Sequence, residues 1–518
     1  MIVTNVRRLA LYLLLSFAVI SGGLTYWGLL DAPQLEARAD NPEVAAARRT
    51  ALRGTIFDAR GQVLASSRIV DRLSQRHYTD PAFSHLIGYA SLRYGTTALE
   101  RAWDDVLTGR RDPNPLRDWV NDVMGRQPPP RDLALTIDRR LQDFAQKQLG
   151  GDVGAVVAID PATGAILASA STPTFDANPL AGDPAAAPDA MKKITSAPNN
   201  PLVDRVRQGQ YPPGSTMKVF TAAAALDAGV ITPQTTFPDQ PKQETQGFVV
   251  EGFRITEHDL SPVKPALWDL SPALQVSSNI FFAHVGLELG AERFLEYARR
   301  FGFCQSGRIG PAAHPLGVDP SYVTSPAGGG GCSDFSDKVE LASAAFGQAK
   351  VVATPMQMAL IAASIANDGV MPQPFVVRDV LAHAADPASG PSQSVLEHND
   401  GVGSTRVVSS QTAAEVRSAM VDAVQGELGR LYAGQGAVSL YGNSGVATAG
   451  KTGTAQRSAG QEPHSWFIGF APAAEGATPA IAVAVLVEGG GAGSGKAAPI
   501  GGRVMAEWLR LQGAKQGG

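Results

Sequence analysis

Apolar residues recur along this chain in three rhythms. Between Leu9 and Leu30 they form an almost unbroken run without a charge, preceded by Arg7 and Arg8. A run of that length crosses a bilayer as one helix and exceeds the apolar stretch of a signal peptide, even though Ala37-Arg38-Ala39 has the form of a cleavage site. The basic flank predicts an N-terminus kept in the cytoplasm and an exported remainder. The second rhythm is short apolar runs bounded by turn residues. Ala155 to Ile159 and Ala165 to Ala170 flank Asp160-Pro161-Ala162-Thr163-Gly164, and Ser465 to Phe470 and Ala480 to Val487 follow much later. Such runs predict strands covered on both faces. The third is helical spacing: Leu141, Phe144, Ala145 and Leu149 behind a capping Asp138, and Val504, Met505, Trp508 and Leu511 within Arg503 to Leu511. Early and late strands with many helices between them predict an α/β fold in three layers.

Ahead of that large domain the pattern is weaker. A polar, Ala/Arg-rich stretch reaches about Thr50. The segment from Arg53 to Ala65 then reads as two short strands about an Asp-x-x-Gly turn, and His85 to Tyr89 followed by Gly95 to Arg111 as a loop leading into a helix. Pro128-Pro129-Pro130 marks a linker. The expected organisation is a cytoplasmic tail over 1–8, a membrane anchor over 9–30, a small α+β N-terminal module over 31–132 and the large domain over 133–518.

Composition sets limits. With 518 residues, 44% of them hydrophobic, the chain can bury more than one core; a net charge of -4 and no long basic run give no footprint for nucleic acid. Cys304 and Cys332 fall in the exported part. A bridge there would stabilise by roughly 3 to 4 kcal/mol through chain entropy, and the pair reads equally well as two separate small apolar residues. No metal-binding spacing and no cofactor motif is present.

The chemistry lies in three ordered motifs: Ser215-Thr216-Met217-Lys218, Ser277-Ser278-Asn279 and Lys451-Thr452-Gly453-Thr454. Such a set serves serine acyl transfer. Tyr211-Pro212-Pro213-Gly214 makes a rigid loop and Val219 to Leu226 a buried helix, which puts Ser215 at a helix N-terminus and Lys218 on the same face. A hydroxyl needs a base, and lysine serves once burial or neighbouring positive charge, here Lys451, lowers its pKa. Ser277 is expected to relay a proton to the leaving amine and Asn279 to orient a peptide amide or Lys218. Lys451, Thr452 and Thr454 suit a substrate carboxylate, and Gly453 the close approach of a peptide backbone. The N–H groups of Ser215 and Thr454 are expected to form the oxyanion hole. Two decoys are set aside. Ser261-Pro262-Val263-Lys264 is followed by Pro265, which pushes Lys264 out of helical geometry. Gly490 to Lys496 imitates a phosphate-binding loop, but Ala497 stands where the Mg²⁺ ligand belongs.

The three motifs, with Arg53-Gly54-x-Ile56-x-Asp58-x-x-Gly61-x-x-Leu64-Ala65, Gly95-Thr96-Thr97-Ala98-Leu99-Glu100, Gly347-Gln348, Thr354 to Ala359 and Trp466-Phe467-x-Gly469-Phe470-x-Pro472, resemble the class B penicillin-binding proteins over nearly the whole length. The resemblance implies a penicillin-binding and serine β-lactamase-like transpeptidase domain behind a non-catalytic pedestal. It further implies D,D-transpeptidation of peptidoglycan stem peptides through acyl-Ser215, acylation by β-lactam antibiotics, and partnership with a polytopic membrane glycan polymerase. A D,D-carboxypeptidase shares all three motifs; a β-lactam sensor or an idle cell-wall scaffold would share the fold.

Overall fold

A computed structural model describes residues 2–26, 52–70, 73–110, 120, 124, 129–327, 331–384, 386–401, 403–438, 446–457 and 460–516. The stalk before Thr50, the Ala37-Arg38-Ala39 site and the end of the predicted anchor at 27–30 lie outside them.

The first helix, α1 (Ile2–Thr25), is long and apolar enough from Asn5 to Thr25 to cross a membrane, and Leu11, Phe17 and Leu24 are exposed on it. Arg7 and Arg8 fall inside this helix rather than before it.

The N-terminal motif folds as read, with β1 (Ile56–Phe57) antiparallel to β2 (Val63–Val70). Asp58 makes the turn between them, its Oδ1 accepting from the N–H groups of Arg60 and Gln62 at 2.8 Å. After β3 (Leu73–Tyr78), the expected helix over Gly95 to Arg111 is two short pieces, Ala98–Ala102 and Asp104–Leu107. Glu100 on the first piece is fully buried. It accepts from Arg53 Nε at 2.8 Å, Arg76 Nε at 2.6 Å and the Tyr78 hydroxyl at 3.2 Å.

β4 (Arg131–Leu135) runs parallel to β1 and antiparallel to a later strand, Val377–Ala382, which pairs in turn with Val395–His398. One sheet thus joins early and late segments, and the expected domain start at Leu133 falls inside a strand.

The large domain is built on a five-stranded antiparallel sheet. β5 (Gly154–Ile159) and β6 (Ile166–Thr172) are the predicted hairpin, after α2 (Arg139–Leu149), whose cap Asp138 accepts from Arg140 N at 3.0 Å. From the late part of the chain come β7 (Ala449–Ala455), β8 (His464–Ala471) and β9 (Ile481–Val487), giving the order β7-β8-β9-β5-β6.

Alternation divides the side chains between two cores. Val157, Ile159, Trp466, Ile468 and Leu486 face the larger core. Val156, Ala158, Phe467, Val483 and Val485 face α2 and the last helix, Ala497–Gln516. The three-layer arrangement follows. That last helix begins six residues before the predicted Arg503, directly after the glycine-rich loop. The loop holds no phosphate geometry: Lys496 pairs with Asp152 at 2.7 Å, and Gly493 N donates to Thr454 Oγ1 at 3.3 Å. Cys304 and Cys332 form a disulfide.

Candidate active site

The nucleophile loop is fixed before the helix begins. Gly214 has φ +53 and starts a 3₁₀ turn, Gly214–Thr216, that runs into α3 (Met217–Asp227). A side chain at 214 would be strained by that φ and would meet the Thr454 carbonyl oxygen at 2.9 Å, so only glycine lets the loop lie against β7. Trp466 Nε1 donates to Pro212 O at 2.9 Å, and the Tyr211 hydroxyl donates to Glu488 at 2.8 Å, a carboxylate that Arg205 also engages at 2.7 Å. His464 begins β8 and meets the Tyr211 ring edge-on at 5.2 Å.

α3 is buried from Met217 to Leu226, since its Ala222 to Ala225 run favours helix and leaves no polar face. Lys218 is therefore carried into the core with no exposure. Its Nζ lies 3.0 Å from Ser215 Oγ, 3.2 Å from Ser277 Oγ and 2.9 Å from Asn279 Oδ1, and it also donates to the Ser277 carbonyl. Burial pulls the Lys218 pKa down to about 7, against an upward pull from Glu257.

The second motif is both a cap and a set of site groups. Ser278 caps α4 (Asn279–Leu289), accepting from Phe281 N at 3.1 Å, so Asn279 is the first helical residue and Ser277 stands just before the cap. Ser277 has φ +62, a conformation a non-glycine residue holds only when its surroundings impose it.

Lys451 on β7 is also buried, and its Nζ donates to Ser277 Oγ at 2.8 Å and to Thr452 O at 3.0 Å. Burial and the charge of Lys218 both hold its pKa well below the usual range. Ser277 Oγ thus sits between two lysines. Burial is the first cause of the low pKa of both lysines, and the like charge between the pair adds to it at Lys451.

Thr452 is half-buried and Thr454 exposed. At Gly453 a Cβ would meet Pro213 O at 2.9 Å and the Thr216 methyl at 3.0 Å, so its missing side chain admits the Ser215 loop.

Hydrogen bonds join Ser215, Lys218, Ser277, Asn279 and Lys451, and Gly453 and Thr454 lie against the Ser215 loop on the same strand as Thr452. The Ser261-Lys264 decoy lies outside any helix. Beyond Asn279 a cavity of about 630 Å³ opens, lined by Thr256, Arg254, Gln348, Lys350 and Gln456. Sequence reasoning missed Glu257, whose stretch, Thr256 to Asp259, has neither periodicity nor motif. It also missed the Tyr211–Glu488–Arg205 group, which joins residues far apart in the chain. Among the described residues no cluster could hold a metal ion.

A mixed fold with a serine and a buried lysine one turn apart, facing a second serine and a second lysine, defines a serine acyl transferase of the penicillin-recognising class. The family model for the penicillin binding protein transpeptidase domain matches residues 154–506, and the chain belongs to that family.

Within it the likeness is to penicillin-binding protein A. The model for the penicillin binding protein A dimerisation domain matches residues 53–132. The peptidoglycan D,D-transpeptidase PbpA of Mycolicibacterium smegmatis is 34% identical over 98% of this chain and 99% of its own length; that of Mycobacterium tuberculosis is 32% identical over 97% and 98%. The structure of penicillin-binding protein A from M. tuberculosis as a penicillin G acyl-enzyme complex superposes with a TM-score of 0.73 at 32% identity, covering 89% of this chain and 100% of that one.

Proposed function

We propose that this chain is a peptidoglycan D,D-transpeptidase that cross-links stem peptides through an acyl-Ser215 intermediate and is covalently inhibited by β-lactams. The observation that carries the reading is Lys218 Nζ, held at once on Ser215 Oγ, Ser277 Oγ and Asn279 Oδ1 at 3.0, 3.2 and 2.9 Å.

Neutral Lys218 takes the Ser215 proton as Oγ attacks the carbonyl of the penultimate D-Ala. The N–H groups of Ser215 and Thr454 receive the oxyanion. The C–N bond then breaks, and Ser277, hydrogen-bonded to both lysines, passes a proton to the departing D-Ala amine. The amine of a second stem peptide displaces Ser215 in the reverse order, regenerating the hydroxyl. Asn279 orients the peptide amide. Lys451 acts through Ser277, and Thr452 and Thr454 face the terminal carboxylate.

In this reading residues 133–518 carry catalysis, 31–132 form the pedestal, 9–30 anchor the chain and 1–8 remain in the cytoplasm. The catalytic part then works outside the cell membrane, beside a polytopic glycan polymerase whose strands it cross-links.

Incubating the full-length protein in detergent with a donor stem peptide and an amine acceptor tests the reaction. Cross-linked product supports the transpeptidase; release of free D-Ala without cross-links would replace it with a carboxypeptidase. Because Lys218 must be neutral and its pKa is about 7, acylation by a fluorescent penicillin should fall about tenfold per pH unit below pH 7 and level off above it. Stopped acylation across pH 5.5 to 9 reads this directly, and a flat profile would remove Lys218 as the base.

A further inference from the structure

Behind the second motif lies an acidic group that the reaction above does not use. Glu257 follows the short strand Phe253–Ile255, and its side chain is almost fully buried. Its Oε1 accepts from Asn279 N at 3.0 Å, and its Oε2 from Ile280 N at 3.1 Å and Ser278 Oγ at 2.9 Å. With Ser278 on Phe281 N, the first three N–H groups of α4 are satisfied by two side chains. The residue so clamped on one side is Asn279, which bonds Lys218. On the other is Ser277, which holds its left-handed φ and lies on both lysines.

We propose that Glu257 is a positioning residue for acylation: it clamps the start of α4 so that Ser277 and Asn279 stay on Lys218, and it supplies the buried negative charge that faces Lys218. The proposal rests on the acyl-serine reading above.

The charged and titratable groups around it fit one ionised carboxylate. Burial pushes the Glu257 carboxyl up. The hydrogen bond and charge of His258 at 2.7 Å, the charge of Lys218 and the Asn279 N–H outweigh it and hold the group below the ordinary range. Glu244, whose Oε1 accepts from Gln240 at 2.7 Å and from Ser278 Oγ at 3.4 Å, is pushed up by burial and by Glu257 itself. Two neighbouring carboxylates are thus driven apart, with Glu257 the charged one. Tyr432 and Asp259 complete the surroundings, and Lys451 faces Lys218 from β7. Since Glu257 raises the Lys218 pKa, removing its charge lowers it.

The test is the pH profile of acylation of the full-length protein by a fluorescent penicillin, for wild type, Glu257→Gln and Glu257→Asp, with melting temperatures alongside. Glu257→Gln should acylate roughly 10- to 100-fold more slowly on its plateau, with the acid limb moved about one unit to lower pH. Glu257→Asp, which keeps the charge, should return the limb to the wild-type position even where the plateau stays low. A Glu257→Gln profile matching wild type overturns the proposal, as does a lower plateau with an unmoved limb, the mark of a purely structural group. Should Glu257→Gln fail to fold, a shifted limb in Glu257→Asp overturns it and an unshifted limb with a lowered plateau supports it. Absence of any adduct on wild type would instead strike the acyl-serine reading.

Discussion

Replacing Ser215 by alanine is expected to abolish the mass adduct that benzylpenicillin leaves on the wild-type protein while the fold survives. The hydroxyl is only part-buried, and alanine suits the 3₁₀ turn that carries it. Nothing else in the site replaces the nucleophile: Ser277 Oγ is hydrogen-bonded to both lysines, and its backbone is pinned by Lys218. Intact mass spectrometry of the two proteins after the same incubation reads the result. An adduct of equal occupancy on Ser215→Ala would move the chemistry to another residue. The wild-type adduct should also be long-lived, because no Glu-x-x-Leu-Asn stretch follows Ser277 to activate water.

The second large effect lies far from this cleft. Glu100→Ala should cost roughly 3 to 5 kcal/mol, because it removes the fully buried carboxylate that Arg76 and Arg53 both engage. Burial pushes the Glu100 carboxyl up, but Arg76 and Arg53 hold it below its ordinary value. A depressed carboxylate stabilises the fold above its unfolded pKa, and that stabilisation is lost as pH falls through the folded one. Acid should therefore weaken wild type toward the variant. Thermal melts at neutral and acid pH measure both; equal melting temperatures at neutral pH would show the ion group to be energetically idle.

These two residues also mark what the sequence discloses. Ser215 was legible because its chemistry needs a lysine one helical turn away, and a local spacing is visible in one dimension. The hairpin Gly154–Ile159 and Ile166–Thr172 was legible for a similar reason, two apolar runs about a turn. β7 was not read as a strand: Ala449 to Ala455 holds two glycines, a lysine and two threonines, so no alternation announces it, and its strand geometry comes from pairing with the strongly apolar β8. The helix expected within Gly95 to Arg111 is interrupted at Trp103, which is buried between its two pieces. Glu257 and Glu100 each act through partners from 20 to 50 residues away, and separation of that kind leaves no local trace.

β7 ends its sheet, with β8 on one side and no further strand on the other among the described residues. An open edge of this kind reads main chain: an extended peptide laid beside it gains ladder hydrogen bonds whatever its side chains are. In the transpeptidase reading, the strand that carries Lys451 and Thr454 would accept any stem peptide of the right backbone length. Telling one peptide chemistry from another then falls to the cavity beyond Asn279, where Arg254 and Lys350 stand. Exchanging residues in that cavity would retune which wall the enzyme can knit, while the edge that grips the peptide stays as it is.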